Sequence, residues 1–501
     1  MKNKTGVCRA LLLVGMGLMI PCYLFTAGNT LLSPWPLYDR NRLALCLLTP
    51  LCLLLLLLLG RAAKAKVFET HERAVLLGFA AFYFVIQLVM ASALRFTPVT
   101  DLEQCVTAAR RLAQTGAFGD SERSLIYFGR YPHNMGLVYL LAGIFKAADA
   151  LGADELMAAA LVCGLLFSMG LLCAARLCRR LGGAQAQARA LLLFATCLPF
   201  LYCTSELYTD AFSVAFAPMI VFAFLKARDA GSRKERALWA LLFAVCTFFG
   251  AQIRFPTIIA AIACLIAALF EKRAKLTALL AAPLALVFAV GGSAVNAANK
   301  TNLGAANIAQ NKLPKLHYIA MGLPVQSDEG YGQYGYGGWL IFSTSFDDPQ
   351  ARDEAFRQEV VDRAYTLAHH PAQLLSTLSR KNLSTFGRGT FNLNEIFEAD
   401  AHEADNAVKQ AVFENGRFNR AYTHLATAMF VAQMALACIA CIQAIRRRDT
   451  RAAPLFLTLL GAFLFLSIWE TRARYFFQFM MILLCAGAMF ETPSTHAAQK
   501  A

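Results

Sequence analysis

The length of the apolar runs constrains this chain more than any other feature. From Leu43 to Gly60 there is no charged residue, and the run closes on seven consecutive leucines, Leu53 to Leu59. A hydrocarbon core of roughly 30 Å needs about 20 residues of helix at about 1.5 Å each. Runs approaching or meeting that length recur near 8–27, 43–60, 74–94, 155–175, 188–205, 211–226, 237–251, 256–270, 276–296, 421–445, 452–469 and 475–491. Charged residues make up 16% of the chain and hydrophobic ones 58%, against about a quarter charged in soluble proteins. A large soluble enzyme is excluded. The fold predicted is all-α: a polytopic membrane protein of about twelve transmembrane helices, with interfacial helices and a mostly helical extracytoplasmic segment.

The net charge of +15 is not spread as a nucleic-acid surface would be. It falls in short clusters between apolar runs, the pattern of positive-inside anchors, so no nucleic-acid partner is expected and the lipid bilayer is. With a cytoplasmic N-terminus (Lys2, Lys4, Arg9), five further clusters fall on the same side. They are Arg61, Lys64, Lys66 and Arg73; Arg176, Arg179, Arg180 and Arg189; Lys226 to Arg236; Lys272, Arg273 and Lys275; and Arg446 to Arg451. Both termini are then cytoplasmic in a multi-pass plasma-membrane protein. The basic start followed by an apolar run is read as a first span, because further spans follow. Fifteen cysteines lie mostly inside apolar runs with no CxxC spacing, which fits core packing better than a disulfide or metal framework.

This orientation divides the chain into an N-terminal two-helix addition with its cytoplasmic loop (1–73) and a transmembrane core (74–296) whose first outer loop spans 95–134. An extracytoplasmic segment (297–420) and C-terminal transmembrane helices (421–501) follow. Met135 to Ala148 is apolar but short, and a crossing there would invert every later loop. It is expected as an interfacial or re-entrant helix on the outer face. The cytoplasmic loops are too short to house an active site, so chemistry belongs to the outer side.

The first outer loop has Pro98 to break the preceding helix, Thr100 as N-cap and an amphipathic helix from Asp101 to Thr115 stopped by Gly116. Asp101 and Glu103 therefore stand at a helix start above the membrane. There they either complement the helix dipole or serve a cavity at the bilayer edge. Arg130, Tyr131, His133 and Asn134 follow in GRYPHNMG; aromatic belts account for Tyr127 and Tyr131 but less well for the charged neighbours. Glu206 and Asp210 occupy a short outer turn, SELYTDAF, which reads as a solvated cap unless it shares a cavity with Asp101. Arg254, Arg472 and Arg474 lie on the side that positive-inside bias disfavours, which points to an anionic partner, to Glu470, or to lipid headgroups. In the outer segment, Tyr331 to Trp339 reads as a glycine–aromatic loop, Arg352 to Ser379 as helices broken at Pro371, and Phe386 to Phe391 as a turn carrying Arg388 and Gly389. GxGxxG, Walker A, HExxH and GxSxG motifs do not occur.

The sequences TDLEQ (100–104), GRYPHNMG (129–136), ELYTD (206–210), GRGTF (387–391) and WETRARYF (469–476), in this order and on one side, resemble the GT-C superfamily of membrane glycosyltransferases. The nearest likeness is to bacterial relatives of protein O-mannosyltransferases and aminoarabinose transferases, over roughly 74–490. The resemblance implies inverting transfer of a hexosyl or pentosyl group from a polyprenyl-phosphate donor to a glycan, lipid-linked polymer or protein acceptor at the outer face of the cell envelope. It implies Asp101 as general base, with Glu103 beside it in place of the adjacent double-acidic form. Asp210, with Glu206, would orient the acceptor or help to hold a divalent metal ion. Arg254, Arg472 and Arg474 would bind the donor phosphate, and Arg130, Tyr131, His133 and Glu206 the substrate. Alternatives are a lipid-linked glycan polymerase or ligase, which would share the carrier and the large loop, and a secondary transporter. The absence of an internal repeat and the scarcity of midspan charge weigh against the transporter.

Overall fold

In hydrocarbon every backbone N–H and C=O must be satisfied within the protein, which leaves helices as the open-ended solution. The computed structural model describes residues 2–35, 37, 41–63, 65–94, 97–119, 121–326, 329–393, 406–413 and 416–491. Lys64 and Arg95, named above in a basic cluster and as a loop boundary, lie outside the described residues, as do the side chains of Lys2 and Lys4. The described residues form α-helices and 3-10 turns, with no strand among them.

Among the described residues, eight helices are long and apolar enough to cross a membrane: Gly6–Leu32, Arg42–Ala62, Lys66–Ala93, Glu155–Ala195, Thr209–Asp229, Arg233–Ile253, Ala274–Leu303 and Asn419–Arg446. Phe255–Phe270 and Ala453–Ile468 are shorter apolar helices, and Arg474–Phe477 leads into Met480–Ala488.

Glu155–Ala195 holds two of the expected spans as a hairpin. On the way down, Ser168 and Arg179 bond to the carbonyls of Ala80 and Phe68. On the way back, the carbonyls of Phe194 and Phe200 accept from Tyr83 and Gln87. The chain reverses at Gly183, whose φ of +75° and ψ of −169° are open to glycine and strained for any other residue. The returning limb is α-helical only to Ala195 and finishes in 3-10 turns, Leu198–Leu201 and Cys203–Ser205.

The basic clusters meet at one end of the bundle through direct contacts. Arg9 donates to the carbonyl of Arg448, and Arg447 pairs with Glu491. Arg189 donates to the carbonyls of Gly60 and Phe490. Arg179 pairs with Glu72, Arg180 with Asp229 and Arg228 with Glu271. The opposite end carries the described residues of the segment 297–420. Its helices Lys315–Gly322, Trp339–Thr344 and Pro349–His369 close a small second core around Ala320, Met321, Trp339 and Phe356. Pro371 starts the next helix, Pro371–Phe386, so the break falls where expected. Met135–Ala150 has 16 residues, about 24 Å of helix, short of a roughly 30 Å core. It packs against Thr100–Thr115 and Glu155–Ala195. All fifteen cysteines are free and mostly buried.

The hairpin gives a direct test. Gly183→Ala forces a strained backbone and should destabilise the protein by about 1–3 kcal/mol. Thermal unfolding in detergent should show a lower midpoint, while Gly78→Ala, inside a helix where an added Cβ meets nothing within 4 Å, should not lower it.

Candidate active site

Asp101 is set by the way its helix begins. Val99 is extended, and Thr100 enters the helix at φ +53°, a left-handed conformation costly for a β-branched residue. Leu102, Cys105, Val106, Ala108 and Ala109 form the buried face, at the three-and-four spacing of an amphipathic helix. Thr100, expected as the N-cap, is instead the first helical residue; Val99 takes the cap position, with no side-chain cap bond. Tyr127 donates to Asp101 Oδ1 at 2.8 Å and accepts from Asn134 at 3.0 Å. Tyr208 donates to Oδ2 at 3.5 Å. Burial pushes both phenols well above their usual range, and the Asp101 charge adds to it. Both therefore stay protonated as donors.

Asp210 opens the span Thr209–Asp229 with 0% of its side chain exposed. Arg254 lies 3.0 Å from its Oδ1 and Arg474 lies 3.4 Å from its Oδ2. Arg254 also donates to Thr209 Oγ1 at 2.7 Å and stacks 4.3 Å over the ring of Tyr475. Arg474 lies 5.3 Å over the ring of Tyr208. Tyr208 thus touches the carboxylate of Asp101 with its hydroxyl and a guanidinium with its ring.

A cavity of about 700 Å³ opens above these groups. Asp101, Arg130, Tyr131, His133, Arg254, Arg472 and Arg474 all line it, as do Lys312, Lys315 and Glu470. Six basic side chains against two acidic ones leave it net positive, which favours an anion over a cation. Its rim includes Phe255, Pro256, Val295 and Leu340; Phe255 is exposed, so the cavity meets the apolar flank of the bundle. His133 is exposed to the cavity it lines. Desolvation within that cavity, then Arg254 and Lys312, push its imidazole down to about 4 against the opposing Asp101, so it is neutral at pH 7. The loop Tyr331 to Trp339 contributes Tyr334 to the lining. Tyr334 meets the hydroxyl of Tyr131 at 2.5 Å and its carbonyl accepts from Arg472 at 3.0 Å.

The other residues singled out in the sequence fall elsewhere. Glu103 lines a neighbouring recess of about 540 Å³ that shares Asp101, Tyr127, Arg130 and Tyr131 with the main cavity. Glu206 is 1% exposed, within electrostatic reach of Cys163 and Tyr202, and does not line the main cavity. Leu207, at φ +49°, turns the chain between Glu206 and Tyr208. The acidic turn is therefore not a solvated cap: both of its carboxylates are interior. Arg388 and Gly389 are packed against the helix Asn419–Arg446. Sequence reasoning missed Tyr208, Lys312, Lys315, Tyr318 and Trp469 in the cavity, and treated Tyr127 as belt. Lys312 and Lys315 carried the same signal as the arginines, a cation on the disfavoured side.

The donor set does not fit a divalent cation at Asp210. Both of its oxygens face guanidiniums, and among the described residues no three His, Cys, Asp or Glu side chains group as metal ligands.

A family model described as "conserved hypothetical integral membrane protein" matches residues 42–495. No curated protein matches the chain. Among solved structures, the ArnT of Cupriavidus metallidurans bound to undecaprenyl phosphate aligns with 83% of this chain and 78% of its own, at 15% identity and a TM-score of 0.36.

Asp210→Asn would leave two arginines facing a neutral amide in the interior. Removing one member of a buried ion cluster costs about 3–5 kcal/mol. The variant should unfold at a clearly lower temperature in detergent, and Asp210→Glu should recover part of the loss.

Proposed function

The chain belongs to the conserved hypothetical integral membrane proteins, and we propose that it transfers a sugar from a polyprenyl-phosphate carrier to an acceptor at the outer face of the membrane. The observation that carries this reading is one cavity, next to the apolar flank of the bundle, where a tyrosine-held carboxylate meets guanidiniums anchored on a buried aspartate. A lipid-linked phosphate needs all of these: a path for the tail, cations for the head and a base for the incoming nucleophile.

Asp101 takes the proton of the acceptor nucleophile as its oxygen or nitrogen attacks the anomeric carbon. The bond from that carbon to the phosphate oxygen breaks on the opposite side, which inverts the centre and leaves the electron pair on the phosphate. Arg254, Arg474 and Arg472 stabilise the charge that builds there with their guanidiniums. Asp210 acts by positioning Arg254 and Arg474 rather than by touching substrate. Arg130, Tyr131 and neutral His133 line the space left for the sugar, where a neutral imidazole both donates and accepts. The basic end faces the cytoplasm by positive-inside bias, which puts the cavity outside with both termini inside.

With undecaprenyl phosphate as probe, the full-length protein in nanodiscs should bind this lipid, and Arg472→Ala should weaken binding about tenfold or more. Asp101→Asn should bind it normally but lose sugar transfer by about 10²–10⁴-fold, the usual range for a positioned base; retained transfer would remove Asp101 from that role. Orientation is checked separately with a membrane-impermeant thiol reagent on intact cells. A cysteine replacing Ser121 should react, and one replacing Ala184 should not.

A further inference from the structure

Lys381 lies outside the machinery described so far: it does not line the cavity and is 1% exposed. We propose that it is a positioning residue that fixes the cavity wall formed by the turn 469–472, acting through backbone carbonyls rather than on substrate. Its place in the fold carries the argument. From the helix Pro371–Phe386 its ammonium donates to the carbonyl of Trp469 at 2.7 Å and to that of Gly322. These carbonyls stand at two helix ends, Gly322 closing Lys315–Gly322 and Trp469 following Ala453–Ile468. Carbonyls at helix C-termini lack partners within the helix, and here one cation caps two of them.

The two ends are in backbone contact, since a Cβ on Gly322 would lie 2.2 Å from the carbonyl oxygen of Ile468. The turn that leaves this junction carries Glu470 and Arg472 into the cavity. It is stapled to the glycine loop as well: Thr471 donates its N–H to Gly332 at 2.8 Å and its hydroxyl to Tyr331 at 2.9 Å. A Cβ on Gly332 would in turn sit 3.6 Å from Lys381 Cγ. Lysine, turn and loop thus form one lock behind the phosphate-binding wall.

The lock carries a pH signature. Burial pushes Lys381 down to about 7, opposed by Glu470. The charged groups around it are Glu470 and Arg472 on the turn, Arg380 beside it bonded to the carbonyl of Gly330, and Glu329 just before the loop, which is paired with Arg363. The helix Met19–Leu32 packed on this side brings the neutral Thr26 and Asn29. A lysine with a lowered folded-state pKa is charged below about 7 and neutral above it, so the cap weakens as pH rises through that value.

The wall's service to a lipid phosphate rests on the function proposed above, so the test reads the lock and the ligand separately. Hydrogen–deuterium exchange on the full-length protein follows the Thr471 amide after correction for intrinsic rates, with no ligand present. In the wild type, protection should fall about tenfold between pH 6.5 and 8.5. Lys381→Arg should hold it constant, and Lys381→Met should be poorly protected throughout. Undecaprenyl phosphate affinity should follow the same order in the three proteins, the ligand's own titration being common to all. Should Lys381→Met not fold, the wild-type and arginine profiles decide. Equal, pH-independent protection in wild type and Lys381→Arg overturns the proposal, as does a folded methionine variant protected like wild type. Loss of lipid binding in the wild type with the exchange pattern intact would refute the carrier reading and leave the lock standing.

Discussion

The buried carboxylate of Asp210 is the interaction on which the site depends. A carboxylate fully withdrawn from water is tolerated only with charge and hydrogen-bond partners, and here two arginines from distant parts of the chain supply them. Arg254 comes from the junction of two spans and Arg474 from the start of the last. Their pairing on one aspartate fixes where those helix ends can sit. It also holds the guanidiniums at the cavity before any ligand arrives, so their orientation is not part of the cost of binding. Arginine suits this use because it stays charged in a dry setting where lysine would lose its proton. Lys381, bonded to the same wall through the carbonyl of Trp469, shows the contrast: burial drives it to about 7.

Tyr208 connects this cationic centre to the carboxylate of Asp101. Its hydroxyl bonds to the carboxylate while its ring lies beneath Arg474, so Asp101 and the arginine pair are held in one register through Tyr208. In the function proposed above, direct pairing of Asp101 with an arginine would lower its basicity and occupy a cation needed for the ligand. The backbone is strained on either side of this arrangement, at Thr100 and Leu207. Each strained residue immediately precedes one of the two partners, Asp101 and Tyr208. Such strain persists only where surrounding packing over-determines it, and both residues lead into segments buried on the main core.

How much of this could be read in the sequence follows from the range of each interaction. Hydropathy and basic clustering are local, and they located the helices, the hairpin tip at the arginine cluster and the end of the bundle that holds the acidic loops. The amphipathic helix after Pro98 and its Gly116 stop were equally legible. The burial of Glu206 and Asp210 was not, because a short acidic turn reads as solvated until the helices around it are known. Thr100 looked like a cap because its left-handed conformation has no sequence signal. Lys381 sits in a helix with alternating polar residues, and its burial follows from the turn at Trp469, 88 residues away, and from the helix Met19–Leu32, which bonds to its neighbours Ser379 and Asn382 across 350 and 356 residues. The cavity tyrosines were hidden in plain view, since interfacial belts and functional clusters use the same residue type.

Non-helical backbone at the edge of a bilayer is a further liability that the site turns to use. The turn 469–472 and the glycine loop would each expose unpaired amides and carbonyls, which apolar surroundings penalise heavily. They satisfy one another instead, through Thr471 and the carbonyls of Tyr331 and Gly332, while Arg472 takes the carbonyl of Tyr334. Irregular backbone is thereby confined to the place where side chains must point inward from several directions at once. A straight helix end would present only every third or fourth residue to the cavity. The turn presents Glu470 and Arg472, and the helix start after it adds Arg474. Charge of both signs can therefore stand in one small volume only because the backbone there leaves the helix, and the hydrogen bonds to the loop are what permit it to do so.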